Sequence, residues 1–246
     1  DMQVSFYGRT IPCFAVPHHL CHAAYSYYTS NKEESAVLTW DGGGDFYTTN
    51  AYTSTSISYW KNKKLVWFER VGNSDMGSLW HIYSKVIFQN PFAAGKLMGL
   101  AAMGNDSLIP EFKKYAMRPV RGCLSPTYSI KNCWPDEDMP LYGTANSWKH
   151  NDAANIAYAI QNLTIEAGVG LANKAFEITN SNNLCISGGC ALNGYLNTEI
   201  IKQTNFKDVV VPPSVHDGGL SIGAVMFTIN NILDLFWSIR FWEILL

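Results

Sequence analysis

Three short apolar runs, each followed by a turn that contains glycine, constrain the fold of this chain most. The runs occupy residues 36–40, 183–187 and 208–211, and their turns occupy residues 41–44, 188–189 and 217–219. β-Branched and apolar runs of this length are typical of buried strands. Helical patterns follow the second and third turns, near residues 192–201 and from Leu220 onward. Because strands alternate with helices, the sequence predicts an α/β fold.

The remaining segments divide the chain into two predicted halves. The alternating stretch 46–68 predicts antiparallel strands with a hairpin turn at 61–64, residues 78–88 predict a helix, and residues 95–104 predict a glycine-rich, shaped loop. Residues 105–150 contain several prolines and little periodicity, which indicates a surface insertion that joins the halves 1–104 and 151–246.

Two helices are predicted in the second half. Asp152 is a candidate N-cap for a long helix. Its apolar stripe consists of Ile156, Ile160, Leu163, Ala167, Leu171, Ala175 and Ile178. The tail 227–246 has helical spacing, and it either packs on its own domain or lies on a bilayer surface.

Charge and cysteine content exclude several classes of protein. The chain has 18 Lys plus Arg against 20 Asp plus Glu, a formal charge of −2, which argues against a broad nucleic-acid-binding face. Its six cysteines form no CxxC pair, which favours reduced thiols over a disulfide scaffold. The sequence has no apolar run long enough to span a membrane and no secretory signal, so we expect a cytoplasmic protein.

The strongest candidate for chemistry is a histidine pair near the start of the chain. His18 and His22 follow Pro17, a residue that fits a helix start, and their spacing places both rings on one helical face. Asp217 is the best candidate for a third metal ligand because it follows a predicted strand end. An isolated HxxxH pair is more often structural, and an Asp before two glycines is also an ordinary turn. His19 is a weaker ligand candidate, for which packing or a hydrogen bond is the simpler interpretation.

The two glycine turns at residues 41–44 and 188–189 are candidate phosphate-binding loops. Glycine lets backbone N–H groups approach phosphate oxygens, and Asp41 is placed to face a cation. Neither turn matches a Rossmann or Walker pattern, and plain turn glycines remain the alternative.

Five segments, in order along the chain, resemble the successive signatures of the O-carbamoyltransferases that modify nodulation factors, cephamycins and aminoglycosides. The segments are PHHLCHAA at 17–24, VLTWDGGG at 37–44, GKLMGLAAMG at 95–104, NLCISGGCALN at 183–193 and HDGGLSIGA at 216–224. The resemblance covers roughly residues 13–227. The chain is more distantly similar to the tRNA threonylcarbamoyl transferases, a function that the charge of −2 disfavours.

The resemblance implies two ribonuclease-H-like (actin/Hsp70-like) halves around a nucleotide cleft, with the first half incomplete. It implies that His18, His22 and Asp217 hold a divalent metal, iron in the family, although the same ligands also suit zinc. Asp41 would approach the metal or the carbamoyl group. The residues expected to border the adenylate are Gly42, Gly43, Gly44, Lys96, Gly188, Gly189 and Asn193.

The implied reaction has two stages, and this chain matches the second. Carbamoyl-AMP forms from carbamoyl phosphate and ATP, and the carbamoyl group then passes to a hydroxyl of a small-molecule acceptor. The family's separate carbamoyl-AMP-forming domain and most of its opening hairpin are not found in these 246 residues, so we expect a fragment. Two functions stay open: an O-carbamoyltransferase, or an inactive remnant that binds nucleotide and metal.

Overall fold

The structure is a computed structural model that describes residues 2–44, 46–48, 51–71, 76–120, 123–126 and 150–233. The strands are β1 (Met2–Phe6), β2 (Arg9–Cys13), β3 (Glu34–Trp40), β4 (Phe46–Thr48), β5 (Ala51–Tyr52), β6 (Thr55–Lys61), β7 (Lys64–Arg70), β8 (Met117–Val120), β9 (Cys123–Pro126), β10 (Asn183–Ser187) and β11 (Asp208–Val210). The helices are α1 (His18–Thr29), α2 (Met76–Phe88), α3 (Ala94–Ala101), α4 (Ile109–Ala116), α5 (His150–Thr179), α6 (Gly194–Gln203) and α7 (Leu220–Phe227). Among the described residues, none of the helices combines the length and apolar character needed to cross a membrane.

A mixed five-stranded sheet in the order β11–β10–β3–β6–β7 forms the centre of this α/β fold. Strand β10 runs parallel to β3 and β11, and Leu184 lies opposite Ala36. Strands β3, β6 and β7 are antiparallel, and the β6–β7 turn places Asn62 and Lys63 in the left-handed region. The predicted strands and the predicted hairpin turn are therefore present.

The two predicted halves contribute strands to the same sheet. Strands β3, β6 and β7 come from the segment 1–104, whereas β10 and β11 come from 151–246. Within the described residues, the two segments therefore share one central sheet. Sequence order alone does not show this, because the β3–β10 pairing joins residues on opposite sides of the predicted insertion.

Helix α5 forms the core that covers this sheet. The predicted stripe from Ile156 to Ala175 is buried in one cluster with Trp40 and Leu196. Ile178, the last residue of the predicted stripe, is 38% exposed because it lies in the last turn of the helix. The helix begins at His150, so Asp152 lies inside it and not at the predicted N-cap. Gly168 permits the close packing, since a Cβ there would lie 2.3 Å from a methyl carbon of Leu196.

The prediction of a loop at residues 95–104 is wrong over most of this segment, because residues 94–101 form helix α3. Leu97 and Ala101 are buried in the core. Burying a leucine side chain contributes about 1.5–3 kcal/mol, which offsets a helical cost of about 1 kcal/mol for each glycine. Tertiary packing thus overrides the low helix propensity of this segment.

The predicted surface insertion at 105–150 begins as part of the packed structure. Phe112 of α4 is only 1% exposed, and Lys113 pairs with Glu166 of α5 at 2.7 Å. Strands β8 and β9 then form a hairpin. The rest of this prediction, over residues 127–149, lies outside the described residues, as does the tail prediction beyond Leu233.

Candidate metal centre

Three elements bring the predicted ligands together. Helix α1 begins at His18, directly after Pro17, so His18 and His22 occupy its first turns. Asp41 follows the last residue of the central strand β3, and Asp217 begins a short 3-10 turn before α7. Helix α7 approaches α1 closely at Gly223, where a Cβ would lie 1.9 Å from the carbonyl oxygen of Cys21. This close contact between the helices places the Asp217 turn beside the histidine pair.

The four side chains converge on one point. Asp41 Oδ2 lies 3.0 Å from His18 Nε2 and 3.1 Å from His22 Nε2, and the two Nε2 atoms are 3.2 Å apart. Asp217 Oδ1 lies 3.3 Å from His22 Nε2 and 3.8 Å from His18 Nε2. One ligand atom from each residue lies within 4.8 Å of all the others. The structure therefore places together the three predicted metal ligands and Asp41.

The residues fit a divalent ion. Ligands about 2.0–2.1 Å from a tetrahedral ion lie about 3.3 Å from one another, which is close to the 3.0–3.8 Å that separate the histidine nitrogens from each other and from the carboxylate oxygens. His22 is fully buried, whereas 71% of the Asp217 side chain is exposed, so the cluster opens toward solvent on the Asp217 side. Two imidazole nitrogens and two carboxylate oxygens suit iron and zinc equally, which leaves metal identity a prediction.

The Asp41 carboxylate is held on both oxygens. Oδ1 accepts hydrogen bonds from the backbone N–H groups of Gly42 at 2.7 Å and Gly189 at 3.2 Å, while Oδ2 faces the histidines. Burial opposes its ionisation, but the hydrogen bonds with His18 and His22 outweigh burial and hold the pKa of Asp41 well below its usual range. Asp41 is thus an ionised carboxylate with one oxygen held by backbone N–H groups and the other facing the histidines.

His19 points away from the cluster. Its Nε2–H donates to the carbonyl oxygen of Gly43 at 3.3 Å, and its Nδ1 accepts from the hydroxyl of Ser56 at 3.0 Å. Burial lowers the pKa of His19 to about 4, so the ring is neutral near pH 7. The structure therefore confirms the prediction that His19 makes hydrogen bonds within the protein.

The glycines of the Asp41 turn line a cleft beside the ligands. This metal cleft is lined by His18, Asp41, Gly42, Gly43, Gly44, Gly77, Ser78, His81 and Asp217. A Cβ at Gly44 would lie 2.5 Å from the Thr53 carbonyl oxygen and 2.6 Å from the His19 ring, whereas Gly43 has open space. Gly188 has φ +89° and abuts Trp40, where a Cβ would lie 2.3 Å from the carbonyl oxygen. Close packing therefore explains Gly44 and Gly188 without a ligand.

An apolar pocket of about 380 Å³ adjoins the metal cleft. Its walls include Trp80, Phe92, Met98, Cys190 and Leu192. Of the residues expected near the adenylate, Gly42, Gly189 and Asn193 line this pocket. Lys96 is exposed and lines neither the pocket nor the cleft.

Asn193 is occupied by contacts within the protein. Its side-chain amide exchanges hydrogen bonds with Gln161, and its Oδ1 also accepts from the backbone N–H of Leu196 at the start of α6. The residue therefore shapes the pocket wall and caps a helix.

His81 is the residue that the sequence analysis missed. It lies on α2 and lines both the metal cleft and the apolar pocket. Sequence offers only a weak signal for it, because one histidine on a helix is no different from an ordinary solvated residue until its neighbours are known.

Comparison with known proteins agrees with the five-segment resemblance. The sequence profile of the carbamoyltransferase N-terminus matches residues 9–226. The chain belongs to the carbamoyltransferase family. The matched region includes all four residues of the cluster.

Curated relatives of this chain are considerably longer. Nodulation protein NolNO of Sinorhizobium fredii is 27% identical over 226 residues, which cover 88% of this chain and 31% of NolNO. Nodulation protein NolO of Bradyrhizobium diazoefficiens is 24% identical over 226 residues, covering 87% of this chain and 38% of NolO. The chain thus spans about a third of their length.

A solved structure supports the fold. The crystal structure of T. kodakarensis HypF superposes with a TM-score of 0.52 at 17% identity, covering 86% of this chain and 36% of HypF. At this identity the likeness concerns the fold alone.

Proposed function

We propose that this carbamoyltransferase chain transfers a carbamoyl group from carbamoyl-AMP to a hydroxyl of a small-molecule metabolite. The observation that carries the proposal is the cluster of four ligand atoms within 4.8 Å, beside a pocket of about 380 Å³, in a chain of this family. The hydroxyl acceptor follows from the resemblance to O-carbamoyltransferases.

The chain's own residues would hold a divalent metal, iron or zinc, at His18, His22, Asp41 and Asp217. When bound, such an ion supplies Lewis acidity for a carbonyl oxygen. The backbone N–H groups of Gly42 and Gly189 keep the Asp41 carboxylate oriented toward the histidines. The exposed Asp217 side chain leaves one side of the cluster open to a substrate.

We place the adenylate across the apolar pocket and the metal cleft. The aromatic and aliphatic walls of the pocket suit a flat base, and Gly42, Gly43 and Gly44 leave backbone groups accessible beside the ligands. Gly188 and Asn193 would maintain the conformation of the pocket wall. Lys96 would reach only a part of the ligand that extends beyond the pocket, because it lies on the exposed face of α3.

The five-stranded sheet would then be one of the two ribonuclease-H-like halves that enclose the nucleotide in the family. The other half and the domain that makes carbamoyl-AMP from carbamoyl phosphate and ATP would come from further protein segments. The greater length of NolNO and NolO accords with this arrangement.

A direct transfer assay tests the proposal. The metal-loaded chain is incubated with synthetic carbamoyl-AMP and a panel of hydroxylated acceptors, and carbamoylated products are measured by mass spectrometry. We expect product that disappears after chelation and returns with Fe²⁺ or Zn²⁺. A chain that binds the metal and the nucleotide but forms no product, while an intact relative does under the same conditions, is instead the inactive remnant.

A further inference from the structure

The metal cleft and the apolar pocket share one wall, and a substrate that occupies both cavities must lie across this wall. The two cavities share Asp41, Gly42, Gly77 and His81. A carbamoyl adenylate seated in the pocket would present its carbamoyl group near this wall. The side chains of the shared wall would then be the ones nearest to the transfer step.

Helix α2 is held against the Asp41 turn by two glycines. A Cβ at Gly77 would lie 2.4 Å from the Cα of Gly42, so the two backbones are in direct contact. Residues four apart on a helix share one face, and His81 is four residues after Gly77. The close Gly42–Gly77 contact therefore fixes His81 beside the metal cleft.

His81 has a free imidazole at this position. Its ring is exposed and lies edge-on to Phe92, with ring centroids 5.9 Å apart at 88°. Among the residues that the structure describes, it has no hydrogen-bonding partner. Both nitrogens can therefore face a ligand.

Other polar groups in the two cavities are committed elsewhere. Asp41 uses both oxygens, toward the histidines and toward backbone N–H groups. The Thr164 hydroxyl accepts from Trp80 Nε1 and donates to the carbonyl oxygen of Ile160. The Ser78 hydroxyl donates to the carbonyl oxygen of Gly42. Of the described residues that line both cavities, His81 alone has a side chain free to accept a proton.

We propose that His81 is the general base of the transfer reaction, a role that rests on the proposed function. Its unprotonated nitrogen takes the proton of the acceptor hydroxyl as the oxygen forms a bond to the carbamoyl carbon. The bond from that carbon to the phosphate oxygen breaks, and AMP leaves with the electron pair. Imidazole is the side chain that most often performs this step in enzymes, where it contributes typically 10²–10⁴-fold in rate.

The test compares His81→Ala with Lys85→Ala in the metal-loaded full chain. Lys85 lies four residues further along the same helix, is exposed, and lines neither cavity. Transfer from synthetic carbamoyl-AMP is measured with ethanol and with the more acidic trifluoroethanol as acceptors. Co²⁺ affinity is measured on the same samples, and 50 mM imidazole is added in a parallel series with a protein-free control.

We expect His81→Ala to transfer to ethanol about 10²–10⁴-fold more slowly, to lose much less with trifluoroethanol, and to recover with imidazole. Co²⁺ affinity and the Lys85→Ala rate should match those of the parent chain. Equal rates in His81→Ala and the parent overturn the role of His81. An equal loss with both alcohols and no recovery with imidazole also overturns it, because the residue then acts only through structure. A parent chain that binds Co²⁺ but transfers to no acceptor contradicts the proposed function itself, and the base role with it.

Discussion

The backbone N–H of Gly189 donates a hydrogen bond to Oδ1 of Asp41, a residue 148 positions earlier in the chain, at 3.2 Å. This contact joins the end of β3 to the end of β10, two strands that lie side by side in the sheet. The other carboxylate oxygen faces His18 and His22. The orientation of Asp41 therefore depends on sheet pairing as well as on the metal cluster.

Replacing Asp41 by Asn separates its hydrogen bond with Gly189 from its contribution to metal binding. The amide oxygen can still accept from Gly189, but the negative charge that favours a cation is lost. We expect Asp41→Asn to bind Co²⁺ about 100-fold more weakly or worse, and to unfold without metal at a lower temperature than the metal-free parent, because the hydrogen bonds between the ionised carboxylate and the two histidines are lost. Isothermal titration and thermal unfolding measure the two quantities. An unchanged Co²⁺ affinity would show that Asp41 is not a ligand.

Substitutions of His22 and of Asp217 should differ in their effect on stability but have the same effect on metal binding. His22 is fully buried and the Asp217 side chain is 71% exposed. Without metal, we expect Asp217→Ala to change the free energy of unfolding by less than about 0.5 kcal/mol and His22→Ala to lower it by about 1–3 kcal/mol.

Both variants should lose the stabilisation that metal provides, about 2.7 kcal/mol for the parent at a metal concentration 100 times Kd. Chemical denaturation with and without Zn²⁺ measures each difference. Metal-dependent stabilisation that survives in either variant would remove that residue from the ligand set.

Gly43 and Gly44 form a matched pair of neighbouring positions. A Cβ at Gly44 would clash with the Thr53 carbonyl oxygen and the His19 ring, whereas a Cβ at Gly43 meets no atom within 4 Å. We expect Gly44→Ala to lower the free energy of unfolding by about 1–3 kcal/mol and Gly43→Ala to change it by less than about 0.5 kcal/mol. Urea denaturation distinguishes the two. Equal effects would mean that the turn can move away from His19 at little cost.

Buried His19 should make stability depend on pH. Its pKa is about 4 in the folded protein and about 6.5 when unfolded, so between these values the unfolded chain binds more protons. Stability contributed by neutral His19 is therefore complete above about pH 6.5 and decreases as the pH falls toward 4, by roughly 3 kcal/mol in total.

His19→Gln should remove this part of the pH dependence. The measurement is the free energy of unfolding of both metal-free proteins from pH 7.5 to 4. Parallel curves for parent and variant would contradict the assignment of His19 as a buried neutral ring.

Local features of the structure were largely accessible from the sequence. The run 36–40 and its glycine turn predict β3 and the position of Asp41, because strand propensity and turn chemistry depend on neighbouring residues. The HxxxH spacing predicts that His18 and His22 share a helical face for the same reason. Asp217 could be named as a candidate partner because it follows a predicted strand end, and the family resemblance then supported that long-range pairing.

Tertiary packing decided the rest. Residues 94–101 are helical because Leu97 and Ala101 are buried in the core. Local helix propensity does not include this contribution from tertiary packing. Strands on opposite sides of residues 105–150 share one sheet, and α2 meets the Asp41 turn where Gly77 touches Gly42. Close contacts of this kind depend on the shapes of surfaces distant in sequence. His81 therefore became recognisable only when folding placed it on the wall between two cavities.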